Sequence, residues 1–331
     1  MKVAFFSTTK TDKRLFESHD CPANLELTFF DVHLSEKTAP LAQGFEAICV
    51  FVNDQLNRAV ITQIANLGVK LIALRCAGFN NVDHEAVKDF GLTVLRVPAY
   101  SPMAVAEHAL ALMMSLNRKT YRAYNRVRDS NFTLEGLLGF DMFDKTAGII
   151  GTGRIGQEMA RILYGLGLKV LAYDPFPNTA IEPYADYVDL DILYQQSDII
   201  TLHVPLLPET HHLINESSLA RMKSGVMLIN TSRGALMDAQ ALINGLKSSH
   251  IGYLGIDVYE QEEHLFFEDH SEEIIQDDIF ERLVTFPNVL ITAHQAFFTQ
   301  EALDHIADTT FQNLTRFAEG TLLRENCVQC E

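Results

Sequence analysis

The sequence is short of positive charge. Its 26 lysine and arginine residues are outnumbered by 43 aspartate and glutamate residues, which gives a formal net charge of −17 at pH 7. A surface of this sign repels the phosphate backbone of nucleic acids and the anionic headgroups of membranes. We therefore expect neither among the partners. A small anionic ligand would need a local cation, against the field of the whole chain.

Long apolar runs are also missing. The longest, around residues 109–116, is too short to cross a bilayer. The first residues, MKVAFFSTTKTDKRLF, hold an apolar stretch too short for a signal peptide, and charged residues follow at once. These features predict a cytoplasmic location.

Cysteines are few, and their number is odd. Cys21, Cys49 and Cys76 are scattered, which is typical of reduced thiols. Cys327 and Cys330 form a single CVQC. A structural zinc site needs a second pair of ligands beside such a motif, so we predict no metal site there.

What the sequence does contain is an alternation of short apolar runs with amphipathic segments. The runs VAFFST (3–8), ICVFVN (48–53), KLIALR (70–75) and TVLRVP (93–98) predict buried strands. Helices are predicted over 54–67 and 83–90, each opening on an aspartate and followed by a glycine. Continuous apolar strands separated by helices predict a parallel sheet covered on both faces.

A second series of the same kind follows a long helical pattern over residues 102–129, which we interpret as a connection between domains. The series contains TAGIIG, KVLAYD, SDIITLHVP, GVMLIN, YLGIDVY and NVLITAH, and a last amphipathic segment covers 299–318. With 331 residues, the chain fits two compact α/β domains.

Gly151, Gly153 and Gly156 have the spacing GxGxxG. That spacing alone is a weak signal, but here a strand runs into it and a helix runs out from Arg154. In dinucleotide-binding turns, the first glycine allows the tight turn and the second lets a pyrophosphate approach the backbone. The third lets helix and strand pack closely. The phosphates then lie at the positive end of the helix.

Asp174 ends the next predicted strand, about 20 residues downstream, where such sites place the acid that binds the ribose. A carboxylate can accept both ribose hydroxyls and repels a 2′-phosphate, and no arginine follows at once. These features predict NAD rather than NADP as the cofactor. The alternative is that Asp174 is a turn residue before Pro175.

Chemistry linked to NAD moves a hydride onto a carbonyl carbon, whose oxygen then needs a proton, and histidine is the expected donor. Of the twelve histidines, His294 ends the last predicted strand, where sheets of this class place ligand-contacting residues. For the histidines in predicted helices or loops we expect solvated or capping roles; they include His108, His211, His212 and His305.

An acid usually orients such a histidine, and the strand YLGIDVY is followed by Glu260, Glu262 and Glu263. Spacing alone does not choose among the three, and each could be a solvated loop acid. Arg233 also follows a predicted strand, within INTSRGALMD. It could hold a structural carbonyl or acid, or it could bind a small anion.

Over nearly its whole length, the sequence resembles the D-isomer-specific 2-hydroxyacid dehydrogenases. The matching segments are LRCAGFNNVD (74–83), VPAYSPMAVAEHA (97–109), GTGRIG (151–156), MKSGVMLINTSRGALMD (222–238), GIDVYEQE (255–262) and ITAHQAFFT (291–299). Together these motifs are highly specific. Tyr100 and the aromatic HQAFFT resemble the NAD-dependent D-lactate dehydrogenases of fermenting bacteria within that family.

The resemblance implies a role for each candidate residue. Arg233 would hold the substrate carboxylate, His294 would act as acid and base, and Glu262 would orient the histidine. The implied substrate-binding residues are Cys76, Ala77 and Gly78, through backbone N–H groups, with Tyr100 and Phe297 lining the pocket. Further cofactor contacts are implied at Arg154, Ile155, His203, Val204, Pro205, Thr231 and Asp257.

The resemblance also implies the architecture and the reaction. Two doubly wound parallel-sheet domains, Rossmann-like and flavodoxin-like, would enclose an active-site cleft between them. Residues 1–100 plus 299–331 would form a discontinuous substrate-binding domain, and residues 101–298 the NAD-binding domain. The implied reaction is the reduction of pyruvate to D-lactate by NADH, in a homodimer or homotetramer.

Two other functions remain open at this point. A related enzyme would reduce a bulkier 2-oxo acid, and activity ratios across a series of 2-oxo acids would discriminate between the two. An NAD-sensing transcriptional corepressor with the same fold keeps a similar set of three residues. The aromatic loop after His294 argues against that role, and an assay with pyruvate and NADH would test it.

Overall fold

The computed structural model describes residues 1–262, 265–267 and 269–328. The chain divides into two compact units, Met1–Ser101 with Phe298–Glu331, and Pro102–Phe297. None of the helices in the described residues combines the length and the apolar character that a membrane crossing requires. Glu263 and Cys330, both considered above, lie outside the described residues.

The elements alternate along the chain as the apolar periodicity predicts. The strands are β1 (Lys2–Phe5), β2 (Glu26–Phe29), β3 (Ala47–Val50), β4 (Leu71–Leu74), β5 (Thr93–Arg96), β6 (Thr146–Ile150), β7 (Lys169–Tyr173), β8 (Asp186–Tyr187), β9 (Ile199–Leu202), β10 (Val226–Asn230), β11 (Ile251–Ile256) and β12 (Val289–Ile291). The helices are α1 (Lys10–Ser18), α2 (Arg58–Asn66), α3 (His84–Asp89), α4 (Pro102–Arg118), α5 (Thr120–Arg128), α6 (Arg154–Gly165), α7 (Leu190–Gln196), α8 (Glu216–Leu219), α9 (Ala239–Lys247), α10 (Asp278–Val284) and α11 (Gln300–Ala318).

The first unit contains a parallel sheet in the order β2-β1-β3-β4-β5. Because successive side chains of a strand point to opposite faces, each apolar strand contributes to two cores. Ala4 and Phe6 pack in the core that includes α2 and α3. Val3 and Phe5 pack in the core that includes α1 and α11. The helix α11 is thus part of this unit, and the ring of its Phe311 lies 5.5 Å from that of Phe16.

The second unit contains a parallel sheet in the order β12-β11-β10-β9-β6-β7-β8. Its two cores are again formed by alternate side chains of the same strands. Ile150 and Leu228 face the side covered by α7 and α9, whereas Ile149 and Ile229 face the side covered by α4 and α6. Both sheets are doubly wound, which confirms the predicted fold class.

The order of the second sheet determines where a ligand can bind. The chain moves outward from β6 through β7 to β8, and then returns to the other side of β6 with β9. In open sheets of this kind, the crevice for a ligand forms at the carboxyl ends of the strands where the direction reverses. The loops after β6 and β9 therefore flank the predicted cofactor crevice.

Two local predictions were wrong, and one strand was not predicted. The pattern over 102–129 forms two helices, because Lys119 between them has a left-handed backbone with φ of +49°. The helix α2 is capped by Asn57 rather than Asp54. Asp54 is buried and accepts hydrogen bonds from Ser7 and from the backbone N–H of Leu34. The strand β2 lacked a clear signal in the sequence because its side chains are only half-buried or exposed.

Candidate active site

Three neighbouring strands carry the catalytic candidates. Arg233 follows β10, Glu262 follows β11 and His294 follows β12, and these strands are adjacent in the order β12-β11-β10. Neighbouring strands lie about 4.8 Å apart, and parallel strands end at the same edge of a sheet. Residues far apart in sequence are thereby gathered at one edge of the second unit.

The turn that carries His294 is held by Asp257, which follows β11. Asp257 is fully buried. Its Oδ1 accepts from the backbone N–H of Gln295 at 2.9 Å, and its Oδ2 accepts from that of Ala296 at 2.8 Å. The backbone N–H of His294 donates to the carbonyl of Asp257 at 2.7 Å. These bonds stabilise the left-handed backbone of His294, whose φ is +51°.

His294 and Glu262 form a close pair. Nδ1 of the ring lies 2.7 Å from Oε1 of Glu262, and both side chains are largely buried. The other carboxylate oxygen, Oε2, accepts from the backbone N–H of Tyr259 at 2.9 Å. The ring of Phe267 lies 5.9 Å from the imidazole. With Nδ1 facing a carboxylate, Nε2 is the ring atom left to exchange a proton with a substrate.

Glu260, the other acid that the structure describes here, turns away to a different partner. Its Oε1 lies 3.1 Å from Nε2 of His212. The geometry thus pairs Glu262, rather than Glu260, with His294. The catalytic role of the pair remains a prediction.

The guanidinium of Arg233 is half-buried and keeps its charge uncompensated. Nη1 donates to the carbonyl of Ser232 at 2.6 Å, and no carboxylate of the described residues lies within ion-pair distance of it. An arginine with a structural role would be expected to meet an acid or several carbonyls. A planar fork of donors that lacks a carboxylate partner is suited to binding an anion.

The backbone beside Arg233 is packed tightly against the turn formed by Tyr259 and Glu260. A Cβ atom on Gly234 would lie 2.0 Å from the carbonyl carbon of Tyr259 and 2.2 Å from the nitrogen of Glu260. Only glycine permits this approach. The segment that carries the cation and the segment that leads to Glu262 therefore have a fixed spacing.

The glycine turn after β6 fits a pyrophosphate. Gly151 has φ of +96°, which favours glycine, and a Cβ atom on Gly156 would lie 2.0 Å from the carbonyl oxygen of Gly151. A Cβ atom on Gly153 would meet nothing within 4 Å. Gly153 caps α6 without any side-chain hydrogen bond, so no capping side chain occupies the first N–H groups of that helix, including those of Arg154 and Ile155.

Asp174 follows β7 and already has partners in its own unit. Oδ2 accepts from the backbone N–H of Thr152 at 2.7 Å and from its hydroxyl at 3.0 Å. Oδ1 accepts from the backbone N–H of Phe176 at 2.9 Å. Asp174 is thus a turn residue that also stabilises the glycine turn through its hydrogen bonds to Thr152. A carboxylate has about four acceptor sites, so one on Oδ1 remains for a ribose hydroxyl.

Two buried polar atoms beside the crevice are without a hydrogen-bond partner among the described residues. They are Nδ1 of His203, after β9, and Oγ1 of Thr231, after β10. An unpaired buried polar atom costs about 1–3 kcal/mol, so such atoms need an explanation. A bound dinucleotide would supply partners for both, and in this respect the residues present fit the cofactor.

The environment of His203 suits a neutral ligand contact. Burial lowers the pKa of His203 to about 4, so its ring is uncharged near pH 7. Nε2 lies 3.0 Å from the hydroxyl of Thr201. The next residue, Val204, packs against the glycine turn, since a Cβ atom on Gly151 would lie 2.7 Å from it. The carbonyl of Pro205 accepts from the hydroxyl of Thr210, which shapes the loop.

The expected substrate-binding residues of the first unit follow β4. Arg96 donates to the carbonyl of Ala77 at 3.0 Å, and Sγ of Cys76 donates to the carbonyl of Gly78 at 3.3 Å. The backbone N–H groups of Ala77 and Gly78 have no backbone acceptor in the described part of the chain. They are therefore available to an anion, although their role remains a prediction. Tyr100 and Phe297, the expected pocket residues, are half-buried.

The expected solvated or capping role of His108 was wrong. Its Nε2 lies 3.0 Å from the hydroxyl of Thr292 and 3.3 Å from Oδ1 of Asp257. It therefore belongs to the network that holds the turn of His294. His108 lies in a motif that resembles the family, but spacing could not reveal a partner 184 positions away.

Comparisons with known proteins agree with this geometry. Residues 110–296 match the family model described as D-isomer specific 2-hydroxyacid dehydrogenase, NAD binding domain, which confirms NAD as the expected cofactor. The chain is 56% identical over 321 residues to a D-lactate dehydrogenase of Escherichia coli, covering 97% of this chain and 98% of the relative.

Solved structures are similar over the same length. The pyruvate reductase of Chlamydomonas reinhardtii has a TM-score of 0.92 and 47% identity, covering 98% of each chain. D-2-hydroxyisocaproate dehydrogenase has a TM-score of 0.84 and 32% identity, covering 97% of this chain and 98% of the other.

The glycine turn makes a prediction that separates cofactor binding from folding. Gly153→Ala adds a methyl group where a phosphate should approach, in space that is otherwise open. We expect an NADH dissociation constant raised by about tenfold or more, that is by about 1.4 kcal/mol, with an unchanged melting temperature. Gly156→Ala should instead destabilise the protein by about 1–3 kcal/mol, because its methyl group meets backbone.

Fluorescence titration with NADH and thermal unfolding would check both variants. Gly165→Ala, at the far end of α6 in equally open space, is the matched control: it should leave NADH binding unchanged and should not lower the melting temperature, because alanine favours the helix. Unaltered NADH binding in a folded Gly153→Ala variant would rule out a pyrophosphate at this turn.

Proposed function

Because the chain belongs to the D-isomer specific 2-hydroxyacid dehydrogenase family, we propose that it is an NAD-dependent D-lactate dehydrogenase that reduces pyruvate to D-lactate. The observation that carries the substrate class is the guanidinium of Arg233, which lacks a carboxylate partner among the described residues. Support for pyruvate over a bulkier acid comes from the higher identity to the lactate enzyme, 56%, than to the isocaproate enzyme, 32%.

Arg233 binds the carboxylate of the 2-oxo acid in this proposal. A guanidinium can donate two parallel hydrogen bonds to a carboxylate, which fixes the orientation of the acid as well as its position. The adjacent carbonyl group of the substrate is thereby held in a single orientation, which is a large part of the rate enhancement available to an enzyme.

His294 supplies the proton for the substrate oxygen. Bound NADH supplies the hydride for the carbonyl carbon. As negative charge develops on the substrate oxygen, an imidazolium at His294 donates its Nε2 proton to that oxygen. The Nδ1–H group of the ring stays hydrogen-bonded to Oε1 of Glu262. In the reverse direction, the neutral ring accepts a proton from the hydroxyl of D-lactate at the same atom.

The cellular setting of the enzyme belongs to the same proposal. We infer a cytoplasmic homodimer or homotetramer whose partners are the small acid and its cofactor rather than nucleic acid or membrane. The formal net charge of −17 supports the exclusion of polyanionic partners.

A steady-state assay with NADH and a series of 2-oxo acids tests the activity itself. We expect the highest kcat/KM for pyruvate, a fall of about tenfold or more for branched acids, and D-lactate as the product. NADPH should be used less well than NADH because Asp174 would face its 2′-phosphate. A maximum at a branched acid would establish the alternative substrate class, and absence of turnover with every acid would refute the enzymatic function.

Arg233→Lys tests the carboxylate clamp. The substitution keeps the charge but loses the two-pronged geometry. A hydrogen bond to a charged group contributes about 1.5–3 kcal/mol, so kcat/KM for pyruvate should fall by about tenfold to a hundredfold. Arg282→Lys, on α10, is the matched control and should retain full activity. Equal kcat/KM in wild type and Arg233→Lys would return Arg233 to a structural role.

The pH dependence tests the pair of His294 and Glu262. Reduction needs the charged ring and should fade as pH rises, whereas oxidation needs the neutral ring and should gain. Glu262→Gln keeps the shape but removes the negative charge that favours imidazolium, so the reduction profile should move to lower pH. The measurement is kcat/KM for pyruvate across pH in wild type and variant.

Glu263→Gln is the control for the neighbouring acid and should leave the profile in place. A shift in that variant, together with an unmoved profile in Glu262→Gln, would transfer the role to Glu263. Unmoved profiles in both would exclude a carboxylate–histidine pair from the mechanism.

A further inference from the structure

A cluster of possible metal ligands lies in the second unit, apart from the pair of His294 and Glu262. His211, His212 and Glu260 each offer one ligand atom, and the three atoms lie within 4.8 Å of one another. Oε1 of Glu260 lies 3.1 Å from Nε2 of His212 and 3.9 Å from Nε2 of His211. We propose that these three side chains form a binding site for a divalent transition metal, with zinc as the ion of best fit.

The backbone brings the two histidines together in an unusual way. Side chains of adjacent residues normally diverge, but His212 has a left-handed backbone with φ of +49°. Its ring consequently stacks on that of His211, with centroids 4.0 Å apart and planes inclined by 27°. A single surface ion pair with Glu260 would need only one of these rings. Two rings that converge on one carboxylate oxygen resemble a ligand set.

The distances suit a small tetrahedral ion. Zinc bonds of about 2.0–2.2 Å to nitrogen and oxygen place tetrahedral ligand atoms about 3.3–3.6 Å apart. The two observed nitrogen-to-oxygen separations, 3.1 and 3.9 Å, bracket that range. Imidazole nitrogen favours zinc, copper and nickel over calcium and magnesium, and one carboxylate with two imidazoles leaves a coordination position for water.

The ligands are held in place before any ion binds. The backbone N–H of His211 donates to Leu207, and that of His212 donates to Ala235 at 2.8 Å. The carbonyl of His212 accepts from Nδ2 of Asn215. Glu260 is positioned by the close packing of its backbone against Gly234, described above. The side chains of His211, His212 and Glu260 are 52%, 33% and 32% exposed, which leaves a path for an ion from solvent.

A metal ion bound there would join two loops that both contact the segment after β10, at Gly234 and Ala235. One is the loop of His211 and His212, and the other is the turn that continues to Glu262. Metal binding at this cluster does not depend on which 2-oxo acid is reduced.

Calorimetric titration of the chelator-treated full-length protein with zinc chloride tests the proposal. Wild type should bind a zinc ion that His211→Gln, His212→Gln and Glu260→Gln each bind at least about tenfold more weakly, since even partners outside the coordination sphere alter affinity by about 10–100-fold. Zinc should also raise the melting temperature of wild type by more than it raises those of the three variants.

Two controls separate this site from other zinc ligands. His294→Gln removes a histidine of the candidate active site, and His305→Gln removes an exposed histidine of α11. Both variants should bind zinc at this site as wild type does. Zinc affinity that is equal in wild type and the three cluster variants, or that is lost with His294→Gln alone, would overturn the proposal, as would the absence of zinc binding by wild type.

Discussion

The carboxylate of Asp257 is the interaction on which the candidate active site depends. It is fully buried, and it accepts hydrogen bonds from the backbone N–H groups of Gln295 and Ala296 and from the hydroxyl of Thr292. Through these bonds, the end of one strand fixes the turn after its neighbour. A buried charge is costly unless it is fully hydrogen-bonded, which favours a single conformation of the turn. Asp257 therefore fixes the backbone turn that carries His294, whereas Glu262 contacts the ring itself.

Arg233 illustrates how a strongly acidic chain keeps one cation available. With a net charge of −17, many cations find a carboxylate, as Arg58 does with Asp89 at 2.8 Å. Arg233 instead meets a carbonyl, which satisfies one donor without neutralising the charge. Leaving a half-buried cation without a carboxylate among the described residues is unfavourable for the protein alone. A bound anion would remove that energetic cost. The guanidinium of Arg233 therefore lowers the stability of the free protein but raises that of its complex with an anion.

The alternation of strands and helices and the glycine turn could be predicted because apolar periodicity and glycine spacing are local signals. Spacing alone could not choose between Glu260 and Glu262, since the path of the loop determines which one faces the ring, and only the family resemblance favoured Glu262. His108 was misjudged because its partner Thr292 is remote in sequence and becomes a neighbour only through the packing of α4. The break at Lys119 has neither proline nor glycine to indicate it, so the helical pattern continues through it.

The place of α11 in the first unit has a consequence for biosynthesis. This helix supplies Ala307, Phe311 and Leu314 to a core whose other buried members, apart from Cys327, come from the amino-terminal part of the chain. On the ribosome, that part must wait for about 200 further residues, which takes roughly 10–40 s at about 5–20 residues per second. During this interval the face of its sheet that α11 covers is protected only by α1, while the second unit emerges as a continuous stretch. Nascent chains should therefore be most vulnerable to aggregation and most dependent on chaperones before α11 has been synthesised.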